Sequence, residues 1–146
     1  MSTQESYCYP QQANTLKVNK YVLIKDRPCK IISYHSVKDG KHGHAKVTVV
    51  GVDIFSGKKV EFCTPASSNV SVPEIKRIEY EYIDKQDDYL ILMDQETYET
   101  REDIKTDDEN IMKQIEEYVA KGSKVIVAVQ QFGSLAKVVE AKESKF

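Results

Sequence analysis

The segment Ser36-Val-Lys-Asp-Gly-Lys-His-Gly-His-Ala-Lys46 stands between two apolar, β-branched runs, Cys29-Lys-Ile-Ile-Ser33 and Val47-Thr-Val-Val50. That arrangement predicts the tip of a β-hairpin. Asp39-Gly40 is a strong turn signal, because glycine reaches positive φ without steric cost, and Gly43 supplies a second permissive position. A hairpin closes with a loop of about two residues. This one holds Lys38, Lys41 and Lys46 together with two of the chain's three histidines, His42 and His44. The surplus over what a turn needs points to function.

The rest of the chain bounds what that function is. A length of 146 residues fits one domain or two small ones, and 40% apolar with 30% charged residues is a globular composition. The longest apolar runs, such as Val125-Ile-Val-Ala-Val129, fall far short of the roughly 20 residues a membrane helix needs, so no membrane partner is expected. Met-Ser-Thr-Gln-Glu-Ser at the start has no basic region leading into an apolar one, so no secretory signal is expected. Cys8, Cys29 and Cys63 are odd in number, widely spaced and without a Cys-x-x-Cys pair. They argue against a disulfide framework and a structural zinc site and fit a reducing compartment, the cytoplasm.

The net charge of −2 conceals an asymmetry. Residues 1–73 carry ten Lys/Arg against five Asp/Glu, whereas residues 74–146 carry eleven against eighteen. A half of net +5 is joined to a half of net −7, and only the first suits a polyanion.

In chain order, residues 1–15 are polar and are expected to form a loosely held arm, with Tyr7 and Tyr9 pinning part of it. Strands are predicted at Tyr21–Ile24, from Lys30 to Tyr34, over Ala45–Ile54, where Gly51 marks a bulge or close approach, and at Val60–Cys63. Asp26-Arg-Pro-Cys29 reads as the first turn and Thr64–Asn69 as loop. Close-spaced short strands without a helical pattern predict a small barrel over residues 16–73. Ser68–Glu74 is the expected joint, with Pro73 disfavouring a central strand.

The second half, 74–146, restarts strands at Ile75–Ile83, Tyr89–Met93 and Tyr98–Arg101. One helix follows, predicted over 108–121, with Ile111, Met112, Ile115, Tyr118 and Val119 on its buried face. Val125–Val129 and Leu135–Ala141 close the sequence of strands. Five strands with a helix between the third and fourth is the order of an OB-fold, so the predicted class is mostly β.

Enzyme chemistry finds little support. His42-x-His44 could ligate a metal with Asp39 or Asp53 completing the set, but a two-glycine tip holds rigid geometry poorly, so no metal is assigned. No nucleophile signature surrounds Ser36, Cys29 or Cys63, and Gly40-Lys-His-Gly43 lacks the length and the Ser/Thr of a Walker loop. A lysine-rich turn is ordinarily just solvated. Here paired glycines push Lys41 outward, the histidine rings can stack on bases, and Lys38 and Lys46 can meet phosphates, which together predict a basic tip inserting into RNA. Tyr80 and Tyr82 could stack bases too, but beside Glu79 and Glu81 in a net-negative half they read as core or interdomain packing.

Lys38-x-Gly-Lys-His-Gly-His-Ala-Lys46 resembles the hallmark loop of the eukaryotic and archaeal translation initiation factor 5A family, relatives of bacterial elongation factor P. The resemblance extends through Arg27-Pro-Cys-Lys-Ile31, Val52-Asp-Ile-Phe-x-Gly-Lys-Lys59, Val72-Pro-x-Ile-Lys-Arg77 and Thr100-Arg-Glu-Asp103, in family order. It implies an SH3-like barrel followed by an OB-fold. It also implies that Lys41 becomes hypusine: deoxyhypusine synthase, using NAD, transfers an aminobutyl group from spermidine, and the iron-dependent deoxyhypusine hydroxylase finishes it. The chain is then a substrate and not an enzyme, and needs no cofactor of its own. Family members bind the ribosome between the P and E sites, and this side chain steadies peptidyl-tRNA, which assists stalled junctions such as consecutive prolines and termination.

Several positions depart from the family pattern: Asp39 stands for the usual Thr, Val37 for a small hydroxyl residue, and Lys20 for a common glycine. Tyr34-His35 also differs, and the N-terminal residues lack the usual acidic run. A general RNA-binding module acting without hypusine is the alternative, and a metal-dependent enzyme using His42 and His44 a more distant one. Pairing into a homodimer stays open.

Overall fold

Residues 7–38 and 45–144 are described in the structure, a computed structural model, and fall into two units, Met1–Glu74 and Ile75–Phe146. In the first unit the strands are β1 (Cys8–Gln12), β2 (Tyr21–Ile24), β3 (Arg27–Lys38), β4 (Ala45–Asp53), β5 (Lys59–Pro65) and β6 (Asn69–Pro73). β2 to β5 form an antiparallel meander, and β1 pairs with β6 in a separate ribbon. Alternation turns Val22, Ile24, Cys29, Ile31 and Val49 inward, where Leu16 and Val72 complete one core. This is the small barrel expected.

Three sequence expectations change here. Residues 8–15 are not a loose arm: Cys8–Gln12 pairs with Asn69–Pro73, and the 3-10 turn Ala13–Thr15 buries Ala13 completely. The expected joint is therefore largely strand β6, because the N-terminal residues supply the partner that its short polar sequence could not announce. The first turn is Lys25-Asp26, with φ values of 51° and 64°, and Pro28 lies inside β3 opposite Leu23. Proline is tolerated there because β4 ends at Asp53, next to the edge; the Pro28 carbonyl still accepts from the Ile54 N–H at 3.0 Å. Gly51 does mark a close approach: a Cβ there would stand 3.0 Å from the Cys29 Cβ and 3.3 Å from the Lys30 carbonyl oxygen. The irregularity in pairing lies across from it in β3, between Ile31 and Ser33.

The second unit contains β7 (Lys76–Gln86), β8 (Tyr89–Asp94), β9 (Thr100–Lys105), α1 (Glu109–Ala120), β10 (Lys124–Phe132) and β11 (Leu135–Ser144). Hydrogen bonding gives the order β11-β10-β7-β8-β9, and β9 approaches β11, closing the OB-type barrel. β9 begins two residues later than predicted. The Asp94 carboxylate accepts from the Glu96 and Thr97 N–H groups and Tyr98 adopts φ 63°, so these residues make the hairpin turn.

Helix α1 starts at Asp108, whose carboxylate accepts from the Asn110 and Ile111 N–H groups at 2.9 and 3.2 Å. It ends in a Schellman arrangement: Ser123 N–H donates to the Tyr118 carbonyl, Gly122 N–H to that of Val119, and Gly122 takes φ 75°. Ile111 and Ile115 are buried with Leu90, Leu92, Ile104, Val125, Val127 and Val129, but Val119 is half exposed and does not join the buried face. Tyr80 is buried in this core and Tyr82 packs against it, which is the packing role the sequence favoured for them.

Candidate functional site

The predicted hairpin is β3–β4, whose last described pair is Lys38 with Ala45. Residues 39–44, which include Gly40, Lys41, His42, Gly43 and His44, lie outside the described residues, and the root of the hairpin lies within them. Lys38 and Lys46 are both exposed. They do not share a face. Lys38 pairs with Ala45 and Lys46 with Val37, and neighbouring positions on a strand point to opposite sides. The root thus carries one lysine on each side of the ribbon.

The two strands of the root are supported unequally. From His35 to Lys38, β3 is exposed, with Val37 at 57%. In β4, Val47 is fully buried against Ala13 and Ala66, with Tyr34, Ala45 and Val70 packed around them. Backbone bonds continue the brace: Ala66 N–H donates to the Ala45 carbonyl at 2.8 Å, Asn14 N–H to that of Ala66 at 3.0 Å, and Ala13 N–H to that of Ser68 at 2.8 Å. The Tyr34 hydroxyl donates to the Asn14 carbonyl at 3.4 Å. Residues expected to be a loose arm therefore hold the strand that leaves the loop. Sequence reasoning passed over them; the signal was the spacing of Ala13 and Leu16, two apolar residues one turn apart in a polar stretch.

At the far end of β4, Asp53 is 5% exposed and is not available to a metal. Arg27 Nε donates to it at 2.6 Å, and the Phe55 and Ser56 N–H groups donate at 2.8 and 3.2 Å. Burial opposes its ionisation, but these partners outweigh burial and hold the carboxyl at about 2. Asp53 fastens the turn to β5, with Gly57 at φ 76° donating to the Asp53 carbonyl at 2.8 Å. Cys29, beneath that turn, is pushed up to about 11, first by burial and then by the Asp53 charge, so it remains a thiol and no nucleophile. Among the described residues no group of three or more His, Cys, Asp and Glu is placed to hold a metal ion.

The second unit engages Arg101 internally. Arg101 grips Asp103 through two bonds of 2.7 Å and reaches the Tyr80 hydroxyl at 2.9 Å and the Gln131 side-chain oxygen at 3.0 Å. Those bonds, that to Asp103 foremost, raise Arg101 above its ordinary value, and the Asp103 carboxyl is correspondingly lowered. The hydroxyl of Tyr82 is raised by burial and by Asp84 and Glu116. Neither ring presents a free stacking platform.

Comparison with known proteins agrees with this two-unit architecture. Residues 6–68 match the family described as translation initiation factor 5A-like, N-terminal, and residues 74–142 match eukaryotic elongation factor 5A hypusine, DNA-binding OB fold. The chain belongs to the translation initiation factor 5A family. Its relatives include eukaryotic translation initiation factor 5A-2 of Solanum lycopersicum, 41% identical over 85% of this chain and 78% of that one. The 5A-2 factor of Caenorhabditis elegans is 42% identical over 88% of this chain and 81% of its own. Among solved structures, the family protein of Naegleria fowleri superposes with a TM-score of 0.81 at 40% identity, covering 93% of this chain and 99% of that one. The Methanococcus jannaschii factor gives 0.77 at 30% identity, covering 94% and 97%. Initiation factor 5A proteins are translation factors and not an enzyme family, and this member has no helix, among the described residues, long and apolar enough to cross a membrane.

Proposed function

We propose that this initiation factor 5A family member works on the ribosome through Lys41, after conversion of that lysine to hypusine. What supports the reading is that the sequence Gly-Lys-His-Gly-His falls between the paired residues Lys38 and Ala45 of β3 and β4, and that the exit strand is braced by Val47, Ala13 and Ala66. Modification lengthens the lysine into a side chain with two amines and a hydroxyl, donated from spermidine by deoxyhypusine synthase and completed by deoxyhypusine hydroxylase. Bound between the P and E sites, the basic first unit takes its orientation from RNA phosphates. The tip then reaches peptidyl-tRNA and steadies its acceptor end. Catalysis stays with the ribosome; the factor contributes orientation, which raises the rate by holding the reactants near the attacking geometry. Stalled junctions such as consecutive prolines, and termination, are where that contribution counts most.

Lys38 and Lys46, on opposite faces of the root, flank the tip and meet phosphates on either side, while Gly40 and Gly43 allow the bend and His42 and His44 stack or donate. The factor itself holds no cofactor in this scheme and acts in the cytoplasm. Intact-mass measurement of the protein from its own cells, with peptide mapping of the fragment containing Lys41, tests it. A gain of an aminobutyl group plus one oxygen is expected. An unmodified Lys41 in a protein that still supports translation would overturn the hypusine reading in favour of a general RNA-binding module.

A further inference from the structure

A cavity of about 370 Å³ on the first unit lies among Tyr9, Tyr21, Lys17 and Lys20, with Leu16 and Val72 also in its lining. No carboxylate lines it. Cavities on the second unit differ in kind: Asp107, Asp108, Glu109 and Glu116 line one, and Glu79, Asp94 and Glu96 another. A tight turn brings the two lysines together. Lys20 N–H donates to the Lys17 carbonyl at 3.1 Å and Asn19 takes φ 73°, closing a four-residue turn whose ends lie within about 7 Å. Gln11 stiffens the wall by donating to the Thr15 hydroxyl at 2.7 Å and carbonyl at 3.2 Å. Among the described residues neither lysine is ion-paired, and Tyr9 is 52% exposed.

Two lysines and two tyrosines in one lining, with no competing carboxylate, offer the chemistry a nucleotide needs: cations for its phosphate and rings for its base. An acidic peptide would engage the lysines and leave the rings idle. We propose that this cavity binds one nucleotide of a single-stranded RNA segment, its phosphate held by Lys17 and Lys20 and its base against Tyr9 and Tyr21. The site uses none of residues 38–46, so it goes beyond the function proposed above and does not depend on modification of Lys41.

Nuclear magnetic resonance titration of the full chain carrying Lys41→Ala with a short oligouridylate tests the proposal without the hairpin tip's lysine. Shift changes are expected at Tyr9, Lys17, Lys20 and Tyr21. Tyr9→Ala should weaken binding by roughly five- to 150-fold, the range of a lost base stack. Lys20→Gln should lower the slope of log affinity against log salt by about 0.7. Both variants should keep the parent melting temperature. Shifts absent from these residues, or a salt slope untouched by Lys20→Gln, would overturn it. Equal affinity and the same shifts with polyglutamate would reassign the cavity to acidic peptides and overturn it as well.

Discussion

Across β7, β10 and β11 of the second unit, Arg77 faces Glu140, Lys124 faces Glu81 at 3.0 Å, and Lys142 faces Glu79 at 3.1 Å, while Arg101 is clasped by Asp103. In the first unit the ion pair between described residues is Arg27 with Asp53, whereas Lys17, Lys20, Lys30, Lys38 and Lys59 stand exposed on its surface. Carboxylates of the second unit hold Arg77, Arg101, Lys124 and Lys142, although Lys76, Lys85, Lys105, Lys113 and Lys137 stand exposed there too; in the first unit Arg27 is held in this way and most other described cations face solvent. The difference teaches that the second unit carries acid in excess of its own cations, whereas the first, with ten basic and five acidic residues, suits a partner that supplies the anions.

The severest way to break that contrast acts on the tip. Lys41→Arg keeps a cation but removes the modifiable amine, so growth supported by this gene should be lost while both units melt as in the parent. Full complementation by that variant would mean that ordinary charge suffices. Next in size is Asp53→Asn, which removes the first unit's buried anion. Arg27 is 39% exposed and stays partly solvated, so the expected loss is about 2–3 kcal/mol, read from urea unfolding with hydrogen exchange over residues 53–58.

The same carboxylate sets an acid response. Its pKa is lowered from 3.8 to about 2, so its stabilisation is present above 3.8 and is lost as pH falls through that window. The Asn variant should show a flatter stability profile there. An unchanged slope would place the acid sensitivity elsewhere.

Smaller changes sharpen the comparison. Asp108→Ala should cost about 1 kcal/mol by removing the cap of α1, an effect confined to exchange in the second unit. Lys38→Gln should lower the slope of log ribosome affinity against log salt by about 0.7–0.9, with little change in melting. Lys142→Gln, whose charge already faces Glu79, should leave that slope unchanged and cost less than about 1 kcal/mol. Equal slopes for the two lysine variants would erase the distinction between the units.

Patterns local to the chain carried the reading of most elements. The helix showed itself through Ile111 and Ile115 at core spacing, and Asp108 and Gly122 at its two ends make the observed caps. The OB-type order followed from alternation in Ile75–Ile83 and the apolar run at Val125–Val129. What escaped was non-local or glycine-free. Lys25-Asp26 turns at positive φ without glycine, so Pro28 drew the turn towards itself. Residues 8–12 lack a clear alternating face and become a strand only because Asn69–Pro73 lies beside them. Val119 has helical core spacing but is half exposed.

For the candidate site, the sequence by itself determined its chemistry: two glycines around Lys41, flanking lysines, and a basic half to carry them. Those properties belong to residue types and spacing, which need no partner in space. The tertiary structure alone decided which face of the ribbon each flanking lysine takes, because that depends on the register of β3 against β4. It alone decided that Ala13 and Ala66 brace the exit strand and that Arg27 neutralises Asp53 from 26 residues away. Pairings across such separations are selected by packing and desolvation of the folded chain, and no local pattern encodes them.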